Sequence, residues 1–376
     1  MNDLPQDNSS DVFAYLNLLH QHGGSDMFFS VGAAPLIKVE GHNQQVGERP
    51  LTSGEVKKLA YQLMTEKQIG DFERDLEMNL AISVPDSGRY RINIYYQRGE
   101  VAMVARHIKD VIPDFATLGL PRILEKLALQ DRGLILVVGA AGSGKSTTLA
   151  SMLDFRNKRR SGHIVCVEDP IEFLHTHRRS IIDQREVGLD THSFSEALRN
   201  VLREAPDVIM IGEIRDLETM QHALHYAETG HLCLATLHGT SSRHAMERAA
   251  RFFPDEARHQ VMADLAQNLL AVIGQRLIPG TAQKRVVAVE VVLGTPHIRG
   301  LIQRDELGEM KGATERALEQ GMQSFDQSIY TLFESGRISL SDALKFADSR
   351  TDLSLKIKLE HGSDASDTDL KMLRDN

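Results

Sequence analysis

Tryptophan is absent from the 376 residues, cysteine occurs twice, and aromatic residues make up only 5% of the chain. The two thiols exclude a disulfide framework and a four-cysteine zinc site. Cys166 in "HIVCVED" and Cys233 in "HLCLATL" lie in apolar runs, where a thiol serves as a small buried side chain. No run approaches the ~20 apolar residues of a membrane span, and "MNDLPQDNSSDVFAYLNLLH" lacks the basic flank and apolar stretch of a signal peptide. A reducing, cytoplasmic setting is the expectation. Excess base is missing as well: 43 Lys and Arg stand against 52 Asp and Glu, a net charge of −9, which argues against a general nucleic-acid binder.

What is present divides into two patterns. A helix is expected over Val12–Gln21, capped by the preceding Ser and Asp residues and stopped by Gly23 and Gly24. "PLIKVEG" alternates like a strand, and "TSGEVKKLAYQLMTEKQ" opens a second helix on a capping box of Thr52 and Glu55. "GRYRINIYYQRGEVAMVARHI" reads as a hairpin turning near Gly99, with Tyr90, Ile92, Ile94 and Tyr96 on one face. Residues 1–108 therefore form a small α+β domain, and the two prolines of "DVIPDFATLGLP" mark 109–121 as an inter-domain linker.

From 122 to 350 the pattern is α/β. Continuous apolar runs ("GLILVVGA", "HIVCVED", "DVIMIGE", "HLCLATLH", "VVAVEVVL") alternate with helix-length segments, as in a parallel sheet buried on both faces. "DLAQNLLAVIGQRL" reads as a heptad-like packing helix. Residues 351–376 are an extension that begins as a strand-like or helix-like stretch and ends polar and acidic, with no pattern that would bury a face; disorder is expected after about Gly362.

Chemistry concentrates in "GAAGSGKST", Gly139, Ala140, Ala141, Gly142, Ser143, Gly144, Lys145, Ser146 and Thr147. It follows an apolar strand and opens a helix, the context that makes G-x-x-x-x-G-K-[ST] a phosphate-binding loop. Backbone amides wrap the β-phosphate, Lys145 reaches the β and γ oxygens of ATP, and Ser146 ligates Mg²⁺. Carboxylates are then needed at neighbouring strand ends. Glu213 follows "DVIMI", while Glu168, Asp169 and Glu172 lie in "VEDPIEF". Gly212 stands where many P-loop enzymes carry an Mg²⁺-linked Asp, which leaves Mg²⁺ to Ser146 and to waters on Glu213, Glu168 or Glu172. The plain alternative for these acids is solvated loop residues or helix caps. His238 ends the strand in "ATLHGTSS" on the same sheet edge and is placed to sense the γ-phosphate or a water beside it, as a neutral imidazole rather than a general base. The basic run Arg156–Arg160 suits the carboxyl end of the P-loop helix better than DNA, and "HTHRR" with His222 and His225 lacks a third zinc ligand.

Taken in order, the phosphate loop, "EDPIEF", "PDVIMIGEIRD" and "TGHLCLATLHGTSS" resemble the Walker A, Asp box, Walker B and His box of the type II and type IV secretion ATPase superfamily. Within it the chain is most similar to the PilT/PilU family of type IV pilus retraction ATPases, on the PilU side, along about 340 of 376 residues. The four-cysteine insertion of assembly-type relatives is absent. The resemblance implies a PAS-like amino-terminal domain, a RecA-like P-loop ATPase domain, a homohexameric ring and Mg²⁺-ATP bound between the domains. It also implies catalytic arginines at Arg91 and Arg106, with Arg98 as a third; without it, all three read as solvent-facing strand residues. The implied function is pilus retraction from the cytoplasmic base, acting on the inner-membrane platform protein. "TPHIRGLIQ" matches only in part the segment tied to retraction in PilT, which implies an accessory motor working beside a PilT-like ATPase. The competing classes are an ATP-binding ring partner with little turnover and a secretion or DNA-transfer motor.

Overall fold

The computed structural model describes residues 11–282 and 285–361, so the expected disorder after Gly362 lies outside the described residues. The chain divides into two units. One runs to Val111 and takes in Ile171–Leu174; the other holds Ile112–Pro170 and the chain from His175 on.

The first unit is an antiparallel six-stranded sheet with helices. Its strands are β1 (Asp26–Phe29), β2 (Leu36–Val39), β3 (His42–Gln45), β4 (Glu77–Val84), β5 (Gly88–Gln97) and β6 (Glu100–Ile108), in the order β3-β2-β1-β6-β5-β4. The first helix spans Val12–Gln21 with Asp11 accepting from the Phe13 amide, and it buries Val12, Leu16 and Leu19. Tyr90, Ile92 and Ile94 alternate into the core, as the period of two demands. The β5–β6 turn places Arg98 and Gly99 at φ of 52° and 82°. This left-handed pair matches the twist of a two-residue hairpin.

One helix expected from Thr52 is instead two. Gly54 at φ 75° caps Glu55–Tyr61, and the Glu55 carboxylate accepts from the Thr52 amide, so only half of the capping box is made. The complete box belongs to Thr65 and Gln68, which start Glu66–Asp75.

The second unit carries a mixed seven-stranded sheet. Its strands are β7 (Gly133–Gly139), β8 (Gly162–Glu168), β9 (Ser180–Glu186), β10 (Val208–Ile211), β11 (Leu232–Leu237), β12 (Leu269–Pro279) and β13 (Arg285–Leu293), in the order β13-β12-β7-β11-β10-β8-β9. All neighbours are parallel except β12 and β13. The continuous apolar runs have a direct cause. Leu134, Leu136, Val138, Ile209, Ile211, Cys233 and Ala235 enter one buried cluster, while Ile135, Val137, Met210, Leu232 and Leu234 enter another. Successive residues of one strand therefore serve two cores.

Two expectations fail here. The heptad-like stretch is a helix only to Asn268, and Leu269–Pro279 is a strand between β7 and β13. Its run of apolar residues is long because both faces are covered, and Gly274 is required where a Cβ would lie 2.9 Å from the Phe325 ring. The extension beyond 350 does bury a face. Helix Arg350–His361 places Leu353 and Ile357, four residues apart, in a cluster with Phe325, Ile329 and Ile338.

Candidate active site at the carboxyl edge of the second sheet

The loop between β7 and helix Lys145–Asn157 is built by close approach. A Cβ on Gly139 would lie 2.3 Å from Ser143 Oγ and 2.7 Å from the Gln275 carbonyl oxygen. Gly142 and Gly144 hold φ of 74° and 91°, a region favourable to glycine. Lys145 Nζ donates to the carbonyls of Gly139 and Ala140 at 3.1 and 3.0 Å, which lays the ammonium across the loop. Ser143 Oγ is buried with no hydrogen-bond partner among the described residues. Behind the loop, Gln275 of β12 pairs with Gly139, and its amide donates to Thr148 Oγ1 at 2.8 Å.

Parallel register brings the other candidates to the same edge. Val138 pairs with Leu237, Ala235 with Ile211, and Ile211 with Val167. His238, Glu213 and Glu168 therefore leave adjacent strand ends. His238 Nε2 lies 2.7 Å from Glu213 Oε1, and Arg215 Nε donates to Glu213 Oε2 at 2.7 Å. Arg215 also donates to Asp169 Oδ2 at 3.0 Å, and the pull of the two acids raises its pKa. Glu168 is buried and accepts from the Gln184 side chain at 2.9 Å.

The chain has little room for an Asp at Gly212. A Cβ there would lie 3.2 Å from both Glu168 Cα and the Val167 carbonyl, while the Gly212 amide donates to that same carbonyl at 2.8 Å. Thr236 Oγ1 donates to the Gly212 carbonyl at 2.5 Å, and the Ile214 amide to the Thr236 carbonyl at 2.9 Å. Glu213 thus projects from a turn pinned on two sides.

The second unit brings together Gly139–Thr147, Glu168, Glu213 and His238. Arg91, Arg98, Arg106 and Glu172 belong to the first unit. There Arg91 stands opposite Arg106, which stands opposite Asp26, on three neighbouring strands. Arg106 Nε donates to the buried Asp26 carboxylate at 2.7 Å. Glu172 is exposed, beside Phe173, which bridges to Lys109.

Sequence reasoning passed over Arg215 and Gln275. A signal existed for each: an arginine two residues after the strand-end acid, and a lone amide inside "AVIGQRLI". Arg156 is buried and donates to the carbonyls of Ala128 and Gln130. Burial pushes His175 down to about 4, and among the described residues no group of three His, Cys, Asp or Glu is placed to hold a metal. Burial likewise raises both thiols, Cys233 to about 12. Among the described residues no helix is long and apolar enough to cross a membrane.

A phosphate loop on a largely parallel sheet, with an acid and a histidine 2.7 Å apart at the adjacent strand ends, defines a P-loop ATPase. The chain belongs to the Type II/IV secretion system protein family, whose match covers residues 100–353. It is similar to the type IV pilus ATPase PilU of Pseudomonas aeruginosa, 49% identical over 93% of this chain and 92% of that protein. The type IV pilus retraction ATPase PilT of the same organism is 41% identical over 89% of this chain and 97% of its own length. A crystal structure of the pilus retraction motor PilT with bound ADP superposes with a TM-score of 0.84, at 40% identity, over 90% of this chain and 98% of that one.

Proposed function

We propose that this chain hydrolyses Mg²⁺-ATP as a subunit of a homohexameric motor for type IV pilus retraction and twitching motility. It acts as a PilU-like accessory to a PilT-like ATPase, at the cytoplasmic side of the inner-membrane platform protein. The contact that carries this reading is the 2.7 Å pair of Glu213 and His238 on the sheet edge that ends in the phosphate loop. The similarity to PilU and PilT over nine-tenths of the chain supports the pilus assignment. In this reading residues 1–108 are a PAS-like domain, 109–121 a linker and 122–350 a RecA-like domain, followed by the extension 351–376.

The residues divide the work. The amides of Gly139–Thr147 bind the phosphates, and Lys145 moves from its loop carbonyls to the β and γ oxygens. Glu213 accepts a hydrogen bond from the attacking water and turns its lone pair toward phosphorus. His238, with Nε2 2.7 Å from Glu213 Oε1, registers whether that carboxylate is engaged. An oxygen donor set of Ser146, with Glu213 and Glu168 acting through water, fits Mg²⁺, a hard cation that keeps several waters. Mg²⁺ supplies charge neutralisation at the phosphates. Arg91 and Arg106, with Arg98 as a third, add positive charge from the first domain, and Glu172 assists at the Asp box.

The test is a deletion strain carrying Lys145→Ala. Normal or excess surface pili with impaired twitching supports retraction, whereas a bald cell points to assembly. Purified protein with no Mg²⁺-dependent phosphate release, alone or mixed with PilT, would favour an ATP-binding ring partner instead.

A further inference from the structure

The strand β12 presents consecutive polar residues to opposite faces of the sheet, as alternation requires. Gln275 faces the P-loop helix through Thr148. Arg276 faces the other way, and both terminal nitrogens of its guanidinium are engaged there. It donates to the Thr240 carbonyl at 3.0 Å, to the Phe346 carbonyl at 2.9 Å and to Asp348 Oδ1 at 2.5 Å, while its Cζ lies 3.8 Å from the Phe325 ring centroid. Thr240 is two residues beyond His238. Phe346 closes helix Leu340–Phe346, and Asp348 precedes helix Arg350–His361.

A second tie grips the same segment. The Ser242 amide, at the start of helix Ser242–Arg251, donates to Glu290 Oε2 of β13 at 2.6 Å. The Asp348 end is itself braced. Asp326 accepts from the Asp348 amide at 2.7 Å and from Lys311 Nζ at 2.7 Å. The short run from His238 to Ser242 is therefore held at Thr240, through Arg276 and the carboxyl-terminal helices, and at Ser242, through Glu290 of the sheet.

We propose that Arg276 is a positioning residue for ATP hydrolysis: it fixes the Thr240 carbonyl, and with it the presentation of His238 to Glu213, while Phe346 and Asp348 fix Arg276. The carboxyl-terminal helices thereby set the geometry of the His238 segment. Only a planar fork with several donors serves two carbonyls, a carboxylate and a ring face together, so lysine is not an equivalent residue here. This inference rests on the reading that His238 acts on the hydrolytic site.

The experiment uses the full-length protein and the variants Arg276→Lys, Asp348→Asn and His238→Ala. Steady-state phosphate release gives kcat and KM, amide hydrogen exchange reports on 238–242, and thermal melts report on folding. Arg276→Lys is expected to lower kcat by about 10- to 100-fold, the scale of a 1 Å misplacement, with KM for ATP within about 2-fold and faster exchange confined to 238–242. Asp348→Asn keeps the shape and removes the charge, and is expected to lower kcat by about 3- to 10-fold with the same local exchange. Unchanged kcat and exchange in both variants would overturn the proposal, as would a loss shared with a collapsed melt. Wild-type turnover in His238→Ala would instead sink the underlying role of the histidine; slow exchange at 238–242 in Arg276→Lys would sink the tether by itself.

Discussion

His238 Nε2 lies 2.7 Å from Glu213 Oε1, so side chains leaving the ends of two neighbouring strands meet. Glu213→Gln preserves the side chain's size while removing its charge and much of its basicity. Phosphate release is expected to fall at least ~100-fold, with nucleotide affinity within ~2-fold, if Glu213 acts on the attacking water as proposed rather than on ATP binding. Turnover and titration with a fluorescent ATP analogue decide it; undiminished hydrolysis removes Glu213 from the mechanism.

Arg215 holds the opposite oxygen of Glu213 and reaches Asp169 with its other arm. Arg215→Lys cannot keep both contacts in one geometry. Its kcat is expected to drop roughly 10-fold, with KM changed by less than about 2-fold, since the carboxylate loses its aim but the phosphate loop is untouched. A rise in KM with full kcat would show that Arg215 serves binding instead.

Gly139 has no room for a methyl group, with Ser143 Oγ 2.3 Å and the Gln275 carbonyl 2.7 Å from an added Cβ. The serine can turn away; the strand backbone cannot. Gly139→Ala is expected to cost about 1–3 kcal/mol of stability and to weaken nucleotide binding at least ~10-fold through a displaced loop. Urea melts and nucleotide titration test it, and wild-type values in both would contradict the close approach.

Burial raises the Glu290 carboxyl to about 7 against the partial relief of its hydrogen bonds from Ser242. A carboxyl of ordinary pKa in the unfolded chain makes the folded form the stronger proton binder. The contribution of Glu290 to stability is therefore complete below about pH 4.5 and is lost as pH rises through about 7, roughly 3 kcal/mol in all. Glu290→Gln does not titrate. Its stability relative to the wild type is expected to rise by up to about 3 kcal/mol between pH 5 and pH 8 in urea melts, and a flat difference would place the carboxyl at its ordinary value.

The parts of the molecule legible in the sequence are those governed by local pattern. The apolar runs of β7, β8, β10 and β11 and the glycine spacing of the phosphate loop each encode one strand or one turn. What was hidden depends on partners remote in the chain. Residues 269–279 look like more of the preceding helix until β7 and β13 are present to pair with them. The edge strand β9, "SIIDQRE", mixes charge with apolar residues because only one neighbour holds it. Arg215 and Arg276 carry no local signal that Glu213, Asp169 or the Thr240 carbonyl will face them.

Asp26 changes what Arg106 can do. Both of its carboxylate oxygens are committed, Oδ1 to Arg106 and Oδ2 to the Ser25 hydroxyl, and its side chain is only 7% exposed. Any anion that comes to this guanidinium shares it with an incumbent counter-ion held at Nε. The buried carboxylate thus offsets part of the positive charge that Arg106, itself 66% exposed, can offer to a second anion.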